Sequence, residues 1–461
     1  MPGRGDTPRA VALAASLLAA LERLVPGRSS TRPADLDAAA RDASSLEPAR
    51  PDAVAWPLAT EEVAAIVRLA AAHGVPLTAR GAGSSLEGNP IPVAGGIVLD
   101  LTRMAEIVAI RPADLQVDVQ PGVVYAQLNR ALRPHGLFFP PSPGGSADVA
   151  TVGGMVANNA SGIYSLKYGG TRDHVRAATV VTGTGEVLRL GNRCRKSASG
   201  YHLLGLLVGS EGTLAIATEL TLALAGLPAV RRQGGFRFPD AVAAARATAE
   251  LVRFGLDVAA VEFLDAATMA ALDRLLGLDL PAVPCLLVEA HGVGAGVDEA
   301  WRAAGEVIAG AGGAPLALPA GRDAWWVREH ATRAVAATRP GAAIVRADVA
   351  IPIGALAVLV ERCARIAAER GLAVHLFGHA GIGILHALVL ADAAGRAAAE
   401  EARDALVAEA LALGGSCSGE HGMGLGNRRY AAREHGAALA LMQGIKTLFD
   451  PCGILNPGKI W

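Results

Sequence analysis

Residues Ala79-Arg-Gly-Ala-Gly-Ser-Ser-Leu-Glu-Gly88 decide how this chain is read. They follow Val75 to Ala79, an apolar run with strand character. They precede Asn89-Pro-Ile-Pro92, after which Ile97 to Leu101 is again strand-like. A glycine-rich loop after a strand invites a dinucleotide reading, but that fingerprint opens a helix whose N-terminus receives the pyrophosphate. Prolines in this place do not begin a long helix of that kind. What remains is strand, loop, strand. Consecutive free N–H groups in such a loop form an anion nest, glycine lets the backbone approach a phosphate, and Ser84 and Ser85 add hydroxyl donors.

Upstream, Thr60 reads as an N-cap followed by Glu61 and Glu62, with Val63, Ile66, Val67 and Ala70 on one apolar face and Gly74 as the stop. Downstream, Leu115 to Val119 is strand-like. A second glycine-rich stretch runs from Pro140 to Gly170, and a third signal is Gly209-Ser-Glu-Gly-Thr-Leu214, before the alternating Glu219 to Leu222. Any one loop is read most simply as a tight turn. Three within about 130 residues favour a large phosphorylated cofactor. Near residue 226 the texture changes to longer helical patterns, from Phe238 to Arg253 and from Leu356 to Arg370.

A chain of 461 residues exceeds one core, so two domains or one elaborated domain are expected. Lys+Arg 42 against Asp+Glu 43 leaves no basic excess for a nucleic-acid partner. Five scattered cysteines fit reduced thiols in a cytoplasm rather than a disulfide framework. The apolar run Ala10 to Leu21 is too short to span a bilayer and lacks a cleavage site, so an amphipathic helix is expected there.

Several motifs in order extend these observations. They are the loop at residues 79–88, Ala150-Thr-Val-Gly-Gly-Met-Val-Ala-Asn-Asn159, Lys167-Tyr-Gly-Gly-Thr-Arg-Asp173, Arg195-Lys-Ser-Ala-Ser-Gly-Tyr201, Val208-Gly-Ser-Glu-Gly-Thr-Leu214, Ser418-Gly-Glu-His-Gly-Met-Gly424 and Ile454-Leu-Asn-Pro-Gly-Lys-Ile460. Together they resemble the FAD-linked oxidase family of the vanillyl-alcohol oxidase/PCMH superfamily, from about residue 48 to the end. The nearest patterns are those of D-lactate dehydrogenases (cytochrome), glycolate oxidase flavoprotein subunits and D-2-hydroxyglutarate dehydrogenases. The resemblance implies an α+β chain. Residues 1–47 form an N-terminal helical segment, 48–226 a PCMH-type FAD-binding domain of two subdomains, and 227–461 a C-terminal α+β substrate (cap) domain. About the last 45 residues return to the flavin. It further implies that Arg80, Gly81, Ala82, Gly83, Ser84, Ser85, Gly88 and Asn89 hold FAD. So do Pro143, Gly144, Ser146, Thr151, Gly153, Gly154, Asn158, Ser161, Gly162, Glu211, Gly212, Ile216 and Asn456. No histidine stands between Arg80 and Gly88, so the FAD is expected to be non-covalent.

Gly378-His-Ala-Gly-Ile-Gly-Ile-Leu-His386 offers two imidazoles, and Glu420-His421 follows. Imidazole with carboxylate suits zinc, manganese or iron(II), although two histidines so spaced are by themselves a weak signal. By the resemblance, His379, His386 and Glu420 bind a divalent metal and His421 is the general base. Ile382 and Ile384 stand where the family has aspartate and asparagine. Loss of polar partners that orient ligand histidines weakens metal affinity about 10- to 100-fold, so a weakened or rebuilt site is expected.

Ala324-Trp-Trp-Val-Arg-Glu-His-Ala-Thr332 resembles the family's carboxylate-binding segment, which implies Arg328, Thr332 and Arg346 as substrate-binding residues. Leu388 replaces an asparagine of the hydroxyglutarate branch, so a short or apolar substrate is expected. The implied reaction is hydride transfer from a small D-2-hydroxy acid to FAD. Electrons then pass to a quinone, cytochrome or electron-transfer flavoprotein, because no iron–sulfur cysteine cluster is visible. An iron–sulfur subunit and a second copy of the chain are candidate protein partners, and a cytoplasmic location, peripheral to the membrane at most, is expected. The competing readings are a partner-dependent or non-catalytic flavoprotein and a flavin-free metallohydrolase.

Overall fold

The computed structural model describes residues 13–318 and 322–461. The first sheet has the strand order Ser29–Ser30, Ala53–Ala55, Ile97–Asp100, Leu77–Arg80. Its last three strands are parallel. The helix Thr60–His73 covers it with Val63, Ile66, Val67 and Ala70, and stops at Gly74 with φ 62°. Ala59, not Thr60, occupies the N-cap, because the Thr60 hydroxyl is drawn to Thr218 Oγ1, 2.9 Å away. The strand expected from Val75 begins only at Leu77, since Val75 N closes the preceding helix on Ala70 O.

The second sheet is antiparallel: Ile107–Arg111, Gln116–Val119, Ala215–Ala223, Val175–Thr182, Val187–Gly191. Its Val181 and Ile216 enter the apolar core beneath the first sheet, which joins the two layers. The N-terminal segment is less helical than expected. Ala15–Leu24 and Pro33–Ala39 are helices, with the edge strand Ser29–Ser30 between them. The part of that expectation falling on residues 1–12, including the start of the Ala10 to Leu21 run, lies outside the described residues.

The third sheet has seven antiparallel strands in the order Ala314–Leu316, Val230–Arg237, Cys285–Gly292, Ala260–Leu264, Val374–Gly378, Ile384–Ala391, Ala343–Ala350. Helices Ala241–Arg253 and Leu356–Arg370 pack on one face. Ala266–Leu276, Ala324–Glu329 and Ala331–Ala337 pack on the other. The second face carries a line of buried polar side chains through an otherwise apolar layer, and these build the site. The five cysteines form no disulfide, and no described helix is long and apolar enough to cross a membrane.

Candidate functional site

A cavity, partly open to solvent, lies where the first two sheets meet. One wall is the loop of Arg80, Gly81, Ala82, Gly83, Ser84 and Ser85 with Asn89; the opposite wall is Pro143, Ser146, Thr151, Gly153, Gly154, Asn158 and Ser161; Glu211, Gly212 and Ile216 form the floor. The chain after the loop runs through a turn into Ile97–Asp100, not into a helix. Two contacts explain the glycines. A Cβ on Gly81 would stand 2.2 Å from Thr151 Oγ1, and Gly83, at φ +70°, lies under the Arg80 guanidinium. Asn89 Oδ1 and Ser210 Oγ border the cavity, buried and without a hydrogen-bond partner among the described residues. Backbone-lined loops and unpaired polar atoms fit a flavin dinucleotide.

Four residues expected to line the cofactor do not border the cavity. Gly88 packs on Leu46 and Leu425 and donates its N–H to Asp42 at 2.8 Å. Gly144 has open space about it, and Gly162 is pressed on the Ser142 carbonyl. Asn456 sits behind the floor, donating to Asn89 O and Glu211 O at 3.0 and 2.7 Å. Glu211 is also a structural tie: it accepts from Asn89 Nδ2 (2.7 Å) and from the N–H groups of Met423 (2.6 Å) and Gly424 (2.9 Å). Asn89 and Asn158 donate to the His421 carbonyl at 3.4 and 3.3 Å. These polar groups join the cofactor loops to the segment that carries Glu420 and His421, and both of those residues line the cavity.

A tight hairpin brings His379, just past the end of the strand Val374–Gly378, beside His386 in the next; Gly383, at φ +77°, makes the turn, and a Cβ there would stand 2.1 Å from Ile351 O. Ligand atoms of His379, His386 and Glu420 all lie within 4.8 Å of one another. The Nε2 atoms of the two histidines stand 3.3 and 3.5 Å from Glu420 Oε1, and Ser161 Oγ donates to Glu420 Oε2 at 2.9 Å. Two imidazoles and a carboxylate form a donor set for a divalent transition metal.

Behind each ligand histidine stands a buried carboxylate. His379 Nδ1 lies 2.7 Å from Glu262 Oε1, and Arg328 Nε donates to Glu262 Oε2 at 2.6 Å. His386 Nδ1 lies 3.2 Å from Asp348 Oδ1, because strand register pairs Asp348 with His386. The polar support that Ile382 and Ile384 lack therefore comes from other strands. Burial opposes charge throughout the cluster, but opposite neighbours prevail for most groups. Glu262 and Glu420 raise His379 to about 10, His379 and His386 hold Glu420 down to about 2, and Asp348 lies well below the usual carboxylate range. His421 behaves differently: burial, with His386 beside it, outweighs Asp348 and lowers its pKa, which favours neutral imidazole.

The three residues expected to bind substrate separate. Arg346 shares its sheet face with Asp348, faces Leu388 across the ladder, and its side chain donates no hydrogen bond among the described residues. Burial lowers its pKa against the pull of Glu87 and Asp348. Arg328 is buried and committed through Nε to Glu262. Thr332 lies exposed on the helix Ala331–Ala337, because the helix turns Ala331, Ala334 and Val335 inward instead, and no hydrogen bond ties it to the cluster. Asp42, Glu262 and Asp348 were not anticipated. The available signal was an acidic residue interrupting an apolar strand, as in Ala260-Val-Glu-Phe-Leu264 and Ala347-Asp-Val-Ala350.

A family model described as FAD linked oxidases, C-terminal domain, matches residues 227–460, and one described as FAD binding domain matches residues 51–191. A probable mitochondrial D-lactate dehydrogenase of Danio rerio is 34% identical, over 91% of this chain and 86% of its own length. Glycolate oxidase subunit GlcD of Bacillus subtilis (strain 168) is 33% identical over 91% of each chain. Among solved structures, p-cresol methylhydroxylase with substrate bound superposes with a TM-score of 0.80 at 17% identity, covering 96% of both chains. The 4-ethylphenol oxidase from Gulosibacter chungangensis reaches 0.78 at 21%, covering 97% of this chain and 98% of its own. At those identities the structural likeness concerns the fold alone.

Proposed function

This chain belongs to the FAD-linked oxidase family and is an FAD-dependent hydroxy-acid dehydrogenase, and on that premise we propose that it oxidises a small D-2-hydroxy acid, D-lactate-like, to the 2-oxo acid. The carrying observation is that Glu420 and His421 line the cofactor cavity while Glu420 also closes the cluster with His379 and His386. Bound FAD supplies the two-electron acceptor for the hydride leaving C2, and a divalent zinc, manganese or iron ion supplies a Lewis acid for the substrate hydroxyl and carboxylate. His379, His386 and Glu420 would hold that ion. His421, kept neutral by burial, accepts the hydroxyl proton. Arg346, half-buried and without a hydrogen-bond partner among the described residues, meets the substrate carboxylate; Arg328 secures Glu262 behind His379. Leu388, paired with Arg346 across the ladder, is apolar, which suits a short or apolar side chain over a second carboxylate.

In this reading residues 48–226 hold FAD and residues 227–461 hold substrate, while the described part of the N-terminal segment, residues 13–47, braces the first sheet. Electrons leave for a quinone, cytochrome or electron-transfer flavoprotein. The similarity to a glycolate oxidase subunit adds a second reading, in which an iron–sulfur partner subunit takes them.

The test is anaerobic mixing of the purified flavoprotein with D-lactate, D-2-hydroxybutyrate, glycolate and D-2-hydroxyglutarate. A short monocarboxylic acid is expected to bleach the flavin. Chelation of the metal should prevent bleaching, and His421→Ala should slow it about 10²- to 10⁴-fold with flavin content retained. A flavin that stays oxidised with all four acids overturns the proposal.

A further inference from the structure

Asp348 lies in the middle of the strand Ala343–Ala350 with its side chain wholly buried. A lone carboxylate in such a place is costly unless hydrogen bonds and cations surround it. Its Oδ2 accepts the backbone N–H groups of Glu420 and His421 at 2.8 and 2.9 Å and the Ser418 hydroxyl at 3.3 Å. Those bonds hold the carboxylate in place and leave it facing two imidazoles. His386 Nδ1 is 3.2 Å from Oδ1, and His421 Nδ1 is 3.6 Å from Oδ2. The rings stack with centroids 5.3 Å apart and planes 9° from parallel. Asp348 Oδ1, His386 Nδ1 and His421 Nδ1 are all buried and complete no hydrogen bond among the described residues. Asp348 is the carboxylate that both Nδ1 atoms face, at 3.2 Å from His386 and 3.6 Å from His421.

We infer that Asp348 is a positioning residue that sets both imidazoles at once, keeping the proton on Nδ1 of His386 and of His421. The lone pair of each ring then lies on Nε2. For His386 that atom belongs to the ligand cluster, 3.5 Å from Glu420 Oε1. For His421 it is the atom free to accept the substrate proton, a role that rests on the function proposed above. A single carboxylate thus couples metal affinity to proton transfer. His379 is set separately, by Glu262, so the two ligand histidines have independent supports. The apolar Ile382 and Ile384 become tolerable because this support arrives from a neighbouring strand and not from the ligand hairpin.

The measurements are the ¹⁵N spectrum of histidine-labelled holoprotein, a Mn²⁺ binding isotherm of the metal-stripped flavoprotein, and flavin reduction at saturating substrate. In the wild type, His386 and His421 should show Nδ1–H tautomers. Asp348→Asn presents an amide N–H to at least one Nδ1 and should convert that ring to the Nε2–H form. It should weaken Mn²⁺ binding about 10- to 100-fold and slow flavin reduction about 10²- to 10⁴-fold, with KM changed less than about threefold. Asp348→Glu, which keeps the charge, should recover part of the Mn²⁺ affinity. Nε2–H tautomers in the wild type overturn the inference whether or not the variants fold. So does a folded Asp348→Asn protein with wild-type tautomers, or one whose Mn²⁺ affinity stays within threefold. If no hydroxy acid reduces the wild-type flavin, the proposed activity fails, while the spectrum and the isotherm still decide the role of Asp348.

Discussion

Arg346 is half-buried, one step along its strand from Asp348 and without a hydrogen-bond partner among the described residues, which is an expensive way to keep a cation unless an anion arrives. A charged hydrogen bond contributes about 1.5–3 kcal/mol. Arg346→Met should therefore lower kcat/KM for the hydroxy acid roughly ten- to hundredfold, and Arg346→Lys should recover only part, because an ammonium lacks the planar fork. Steady-state kinetics of the two variants check this; an unchanged kcat/KM in Arg346→Met removes Arg346 from the substrate site. Arg328 illustrates a limit of reading residues singly. Its chemistry suits carboxylate binding, and the carboxylate it meets in the structure is Glu262.

At the scale of elements, the cofactor loops work as a facing pair. Thr151 caps the helix Val152–Asn158 by accepting from Gly154 N at 3.3 Å, and the same hydroxyl oxygen lies where a Gly81 side chain would begin. Gly81 is outside the left-handed region, so its constraint is space and not backbone conformation. Gly81→Ala should force the two loops apart at a cost of about 1–3 kcal/mol, which appears as FAD binding roughly ten- to hundredfold weaker. The flavin-to-protein ratio and a titration of stripped protein with FAD measure it. Retention of stoichiometric FAD with wild-type affinity would show that the loops separate freely. The hairpin carrying His379 and His386 obeys similar logic: Gly378 and Gly383 permit a crossing that larger residues would block.

At the scale of the molecule, three ties hold the cofactor layers to the C-terminal part of the chain. Leu77 N bonds Ile454 O at 2.8 Å and Asn456 N bonds Leu77 O at 2.7 Å, so the C-terminal segment lies against the edge of the first sheet. Lys459 Nζ donates to Ile91 O at 2.6 Å. Glu87, in the first cofactor loop, meets Arg403 of the helix Arg396–Ala412 at 2.9 Å, while its carbonyl accepts Leu425 N and Gly426 N. Burial pushes the Glu87 carboxyl up to about 7 from 4.5, against the pull of Arg403. Between those values the folded chain keeps a proton that the unfolded chain releases. The stabilisation is thus complete below about pH 4.5 and is lost as the pH rises through about 7. Glu87→Gln should flatten the fall in stability across that window, as followed by thermal unfolding at a series of pH values. An equally steep fall in the variant would assign the pH dependence to other groups.

The cofactor layer was legible in the sequence because its requirements are local. A backbone that must approach phosphate needs glycine at fixed places, and the loops near residues 80, 153 and 212 each announce themselves within ten residues. His379, His386, Glu420 and His421 stand out by the resemblance, since two histidines so spaced are a weak signal by themselves. Gly88, Gly144, Gly162 and Asn456 stand off the cavity; in a sequence, a glycine needed for packing looks the same as one needed for a ligand, and an asparagine behind a wall looks like one on it. Asp348 and Glu262 were invisible as partners. Each is a lone acidic residue in an apolar strand, and its histidine lies far along the chain: Glu262 and His379 are 117 residues apart. What the sequence determined by itself was the cofactor class and the set of chemical groups. Only the tertiary structure decided which carboxylate holds which imidazole, because that pairing depends on strand register, and a slip of one residue would turn Asp348 to the opposite face.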